Sequence, residues 1–155
     1  MKYKTVLIAV DASEEADEVL EAATTVDPRG TAGFRVVTVV PPVMGGISGM
    51  DGASFAATWP LKEMEDSITR EITENVRERV ARFGIAPEQV DVLFGRPAAE
   101  IRAYAESIGA DLIVIGSHGR HGIPQVMLGS TANGVLHGAG CDVLTVRISE
   151  PDGDP

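Results

Sequence analysis

Two uninterrupted apolar runs, Val6–Val10 and Leu112–Ile115, constrain this chain more than any other feature. Neither alternates with polar residues, so neither suits a strand with one face in water. Such runs read as strands buried on both faces, the pattern of a parallel sheet covered by helices. Both are also far too short to cross a bilayer.

The segments between them supply the covering helices. The first strand, Tyr3 to Val10, ends at Asp11, and Ser13 is expected to cap the helix that follows. Glu14 and Glu15 stand where the positive helix end favours acid, and Ala16, Val19, Leu20 and Ala23 form its apolar stripe. Phe34–Val40 is the second strand, stopped by Pro41-Pro42. Val43–Pro60 is rich in glycine and lacks periodicity, so a long mobile loop is expected. Met64, Ile68, Ile72, Val76, Val80 and Phe83 then recur at helical spacing as a core-packing stripe, closed by Gly84. Val90–Phe94 is the third strand. Pro97 opens a helix with Ile101, Ala105 and Ile108 on one face and Gly109 after its end. The fourth strand is Leu112–Ile115, a last helix starts near Ser130, and Val143–Val146 is the fifth strand.

Strands and helices therefore alternate from end to end, which predicts a three-layer α/β/α domain around a five-stranded parallel sheet over residues 1–148. An acidic, frayed tail is expected from Ser149 to Pro155. The net charge of −10 argues against general binding to nucleic acid or anionic membranes. It leaves room for a local anion site built from backbone N–H groups. A lone cysteine, Cys141, allows no internal disulfide and fits a reducing compartment. The opening Met1-Lys2-Tyr3-Lys4-Thr5 runs directly into a strand, so a cytoplasmic protein without a secretory leader is expected.

In open parallel sheets, ligands sit beyond the carboxyl ends of the strands, near the switch in strand order. That rule points to Asp11, to Val39–Pro42 and to the loop after Ile115. The loop is Gly116-Ser117-His118-Gly119-Arg120-His121-Gly122-Ile123-Pro124-Gln125-Val126-Met127-Leu128-Gly129-Ser130-Thr131. Glycines permit close backbone approach, and hydroxyls with free N–H groups at a helix start can hold phosphate oxygens. The Gly-x-x-x-x-Gly-Lys-Ser/Thr phosphate loop is absent, and so is Gly-x-Gly-x-x-Gly after the first strand. From the glycines alone, simple turns remain an open alternative.

The spacing Gly116-x2-Gly119-x9-Gly129-Ser130 resembles the nucleotide motif of the ATP-binding branch of the universal stress protein family. Ile8-Ala9-Val10-Asp11-Ala12-Ser13 is similar to that family's opening strand and turn, and Gly95-Arg96-Pro97-Ala98 to its Gly-x-Pro helix start. Ala110–Gly116 and Val143–Val146 resemble its fourth and closing strands, so the likeness runs from Lys4 to about Arg147. It implies an adenine nucleotide alpha hydrolase-like, Rossmann-like fold that binds ATP, or AMP or ADP. Asp11 would accept hydrogen bonds from ribose or the adenine region, Val39 would meet adenine through its backbone, and Pro41 would shape the wall. Gly116, Gly119 and Gly129 would let the backbone approach, with Ser130 and Thr131 on phosphate oxygens. Arg120 adds a charge-assisted phosphate contact by our own inference. Mg²⁺ would ride on the phosphates.

Three residues depart from the family pattern: Ala12 replaces a glycine, Asp142 a common proline, and Thr145 interrupts an apolar strand. Family members commonly pair through that last strand, so a homodimer through Val143–Val146 is expected, along with an unknown regulatory protein partner. A slow ATPase or phosphotransferase is the enzymatic alternative, although no lysine or clear general base accompanies Asp11. A nucleotide-free interaction module is the third reading. His118 and His121 lack a third metal ligand and read as solvated or hydrogen-bonded, His137 as surface or packing, and Cys141 as a buried structural thiol.

Overall fold

The computed structural model describes residues 3–41, 60–117 and 128–148. Five strands form one parallel sheet in the order β3-β2-β1-β4-β5. They are β1 (Thr5–Ala9), β2 (Gly33–Val40), β3 (Val90–Phe94), β4 (Leu112–Gly116) and β5 (Asp142–Val146). The helices are α1 (Ala16–Val26), α2 (Pro60–Arg82), α3 (Pro97–Ile108) and α4 (Ser130–Gly138), with a short 3-10 turn at Pro87–Gln89. The α/β/α architecture expected from the alternation is thus present.

Strand β1 is the centre. Ile8 sits level with Val36 of β2 and Val114 of β4, so both edges of β1 are hydrogen-bonded. Val6, Leu7 and Ile8 are wholly buried. On one face Val6, Ile8, Val36 and Val114 pack beneath Val19, Leu20 and Ala23 of α1 and Val76 and Val80 of α2. On the other, Leu7, Val37 and Ile113 meet Ile101 and Ala105 of α3 and Ala132 and Val135 of α4. Right-handed crossovers explain this division. The chain steps outward from β1 to β2 to β3, then returns to the opposite side of β1 for β4 and β5.

Several expectations are corrected. Helix α2 begins at Pro60, the last residue assigned to the loop; residues 42–59 lie outside those described. Its stripe is core only at the carboxyl end, for Val76 and Val80 are fully buried whereas Met64 is 50% exposed. Length explains why. At 1.5 Å per residue the 23-residue helix spans roughly 35 Å, while the five residues of β3 span only about 16 Å. Ser13 does not cap α1. The helix has Glu15 at its N-cap with no side-chain cap bond, and Ser13 turns back to Asp11. Cys141 is partly exposed rather than buried. Burial still pushes its thiol pKa up, with Asp142 and Asp111 adding to the shift. His137 is exposed, as expected of a surface residue.

Two polar anchors join segments far apart in sequence. Asp111 accepts from the backbone N–H groups of Lys4 and Thr5 at 2.8 and 3.0 Å, aligning the starts of β1 and β4. Asp27, 3% exposed, accepts from the Ala32 N–H and the Thr31 hydroxyl and so closes the turn into β2. Helices α3 and α4 meet through small residues that the sequence reading did not single out. A Cβ on Gly134 would lie 2.7 Å from Cβ of Ala98, and Arg102 Nη1 donates to the Gly134 carbonyl at 3.1 Å.

The close helix contact generates one prediction. Alanine normally improves an exposed helix position over glycine by about 1 kcal/mol, but Gly134→Ala forces two rigid backbones apart. We expect a loss of about 1–3 kcal/mol, read as a lower midpoint in urea unfolding; an unchanged or raised midpoint contradicts the packing argument. Asp27 generates another. The Ala32 N–H, ahead of the Thr31 bonds, holds its carboxyl below the usual 3.8 in the folded state, against an opposing push from burial. Its stabilisation is therefore complete above the unfolded pKa and is lost as pH falls through that value towards the folded one. Stability measured from about pH 6 down to about pH 3 should fall less steeply in Asp27→Asn than in the wild type; parallel curves would refute it.

Candidate functional site

The reversal of strand order at β1 separates the helices that follow β1 and β4, and a crevice opens beyond the carboxyl ends of those strands. It holds a cavity of about 370 Å³, within the usual size of a small-molecule site. One wall is apolar and belongs to the sheet and α3: Ala9, Val37, Val39, Pro97 and Ile101. Another is the start of α4, where Gly129, Ser130 and Thr131 line the space. Asp11 and Glu15 bring carboxylates from the β1–α1 turn, and Val10, Val19, Gly116 and Ile148 complete the floor.

Local sequence explains why α4 begins open. Gly129 is the N-cap and has no side chain, so nothing from the cap position bonds the first-turn N–H groups. The first helical bond here runs from Asn133 N–H to the Gly129 carbonyl. The amides of Ser130 to Ala132 thus precede the helical ladder and carry the positive end of the helix dipole. Gly129 is in turn anchored, its N–H donating to the Ser117 carbonyl at 2.6 Å.

Ser117 is a hub that the sequence reading left inside the glycine motif without a role of its own. Its N–H donates to the Val146 carbonyl at 2.7 Å, and its hydroxyl accepts from the Ile148 N–H at 3.2 Å. One residue therefore connects β4, the end of β5 and the start of α4. Gly116 differs from expectation in its geometry. A Cβ there would lie 3.1 Å from Ile148 Cδ1 and 3.3 Å from Val19 Cγ2, so its missing side chain makes room for protein packing.

Of the residues singled out from sequence, Asp11, Val39, Gly116, Gly129, Ser130 and Thr131 come together around this one cavity. Pro41 follows β2, is exposed, and does not appear in the lining. Gly119 and Arg120 lie outside the described residues, as do His118 and His121. Glu15, Pro97, Ile101 and Ile148 also line the cavity, although the sequence reading placed none of them there. Ile148 carried a faint signal, an isolated apolar residue between the last strand and an acidic tail. Among the described residues, no cluster of three or more His, Cys, Asp or Glu is arranged to hold a metal ion. No described helix is long and apolar enough to cross a membrane.

Relatives and solved structures agree with this architecture. The chain is 35% identical over 150 residues to universal stress protein A homolog 2 of Coxiella burnetii, covering 94% of this chain and 96% of that protein. It is 30% identical to universal stress protein YxiE of Bacillus subtilis, with 94% and 99% covered. Among solved structures, UspA from Lactobacillus plantarum superposes with a TM-score of 0.76 at 24% identity, covering 95% of this chain and 99% of the other. A universal stress protein in complex with cAMP superposes with a TM-score of 0.60 at 22% identity, with 95% and 98% covered. Residues 2–147 match the universal stress protein family, and the chain belongs to it.

Proposed function

We propose that this protein binds ATP, or a related adenine nucleotide, as a regulatory ligand rather than as a substrate for rapid turnover. The observation that carries the reading is the composition of the crevice. An apolar wall suited to a purine ring and an open helix start suited to phosphate line the same cavity. In this reading Asp11 takes the ribose, Val39 flanks the adenine, and Gly129, Ser130 and Thr131 receive the phosphates. Pro41, Gly119 and Arg120 belong to the proposal on sequence grounds alone. The relative solved with cAMP supports a nucleotide as the class of ligand.

The charge balance supports a metal cofactor. Among the described residues the lining includes Asp11 and Glu15 but neither Lys nor Arg, so beside Arg120 of the sequence proposal a polyphosphate would meet two carboxylates offset by amide and hydroxyl donors. Mg²⁺ carried on the phosphates relieves that repulsion and suits oxygen ligands. The proposal extends to a homodimer through β5, an edge strand whose Leu144 is 36% exposed, and to a protein partner that reads the bound state. A cytoplasmic location completes it.

Nucleotide binding should appear as thermal stabilisation. At a hundredfold excess of ATP over Kd, about 2.7 kcal/mol is expected, which raises Tm by roughly 5–10 °C for a chain of this size. Chelating Mg²⁺ should reduce the shift. Gly129→Leu should abolish it while the apo protein still folds, because φ −63° and ψ 157° suit any residue and Gly129 lines the cavity, where a bulky residue leaves less room for phosphate. A full shift in Gly129→Leu would remove the assigned phosphate position. Bound ATP should be recovered intact after incubation; steady ADP release that disappears in Asp11→Asn would replace this reading with a slow ATPase.

A further inference from the structure

The hydroxyl of Ser13 has an unexpected use. Placed just before a helix, it is of a type that commonly caps one. Here α1 starts without a side-chain cap, and both the Ser13 N–H, at 2.9 Å, and the Ser13 hydroxyl donate to one oxygen of Asp11, Oδ1. Asp11 lines the cavity and Ser13 does not. No described residue donates to the second oxygen, Oδ2.

Two donors on one oxygen do more than hold the side chain in place. They fix the rotation of the carboxylate plane and satisfy Oδ1, so that Oδ2 is the acceptor left for a ligand. A carboxylate accepts hydrogen bonds and, while ionised, donates none. The group it selects must therefore carry hydroxyl or N–H donors, as the 2′- and 3′-hydroxyls of a ribose do. Resting on the nucleotide reading above, we propose that Ser13 is a positioning residue that makes the site selective for ribonucleotides over 2′-deoxyribonucleotides by aiming Asp11. Ser13 acts through Asp11 and does not itself touch the nucleotide.

Removal of the hydroxyl leaves the backbone N–H bond intact, so the loop should keep its path while the carboxylate gains freedom to turn. The loss should fall on the hydroxyl that Asp11 recognises and spare the rest of the ligand. A merely structural role would weaken all nucleotides alike, and that difference is measurable.

The experiment is calorimetric titration of ATP and 2′-deoxy-ATP, each with Mg²⁺, into the wild type, Ser13→Ala and Ser13→Thr. The wild type should prefer ATP by about tenfold, the size of one hydrogen bond to a charged acceptor. Ser13→Ala should lose most of that preference through weaker ATP binding while 2′-deoxy-ATP binds as before, and Ser13→Thr, which keeps a hydroxyl, should restore it. A preference that survives in Ser13→Ala overturns the inference, as does an equal loss for both nucleotides. Equal binding of both by the wild type overturns it as well, with nucleotide binding still standing. Failure of the wild type to bind either one overturns the nucleotide reading itself. Melting curves of the apo variants identify any that fail to fold, and if Ser13→Ala does, Ser13→Gly, which also lacks the hydroxyl, takes its place with the same expected and overturning outcomes.

Discussion

The structure depends on the complete burial of β1. Its apolar side chains are covered on both faces, and its backbone is hydrogen-bonded to β2 along one edge and β4 along the other. A buried backbone cannot leave its N–H and C=O groups unpaired without a cost of about 1–3 kcal/mol each, so β1 must have neighbours on both sides. With α1 and α2 returning the chain to one side, β4 is left to fill the other. That requirement sets the strand order, and the strand order creates the crevice. The fold and the site share one cause.

At the crevice, polar groups are arranged by the same need for partners. Ser117 satisfies its N–H, carbonyl and hydroxyl with three residues from two other segments, Val146 and Ile148 at the end of β5 and Gly129 at the cap of α4, which pins both to the end of β4. Gly129 is held there without covering the amides that follow it. An uncapped helix start next to an apolar cavity is a poor arrangement for an empty protein. It becomes favourable once an anion supplies the missing acceptors. Asp11 shows the complementary arrangement, with one oxygen secured by Ser13 and the cavity beside it.

Much of this was legible in the residues. The apolar runs located β1 and β4, Pro97 and Gly109 marked the ends of α3, and Val90–Phe94 proved to be β3 residue for residue. Six of the nine singled-out residues line the cavity, since strand ends and glycine-flanked helix starts leave a local trace. The misses share a physical origin. Gly134 matters because Ala98 of another helix lies against it, and Met64 stays exposed because α2 outruns the sheet. Ser13 turned to Asp11 because the helix has Glu15, not Ser13, at its N-cap, and the hydroxyl donates to the nearby carboxylate instead.

By itself the sequence determined the elements, their order and the parallel sheet, because hydrophobic periodicity and turn chemistry act over a few neighbouring residues. It also determined the family, since the spacing Gly116-x2-Gly119-x9-Gly129-Ser130 persists in the bare string. Tertiary structure alone decided which walls face each other across the crevice, bringing Pro97, Ile101 and Ile148 to Asp11 and Gly129. It alone gave Ser117 its three partners and Gly116 its packing against Ile148. These contacts join residues far apart along the chain, and their distances are set by how helices seat on the twisted sheet, a quantity that no local pattern encodes.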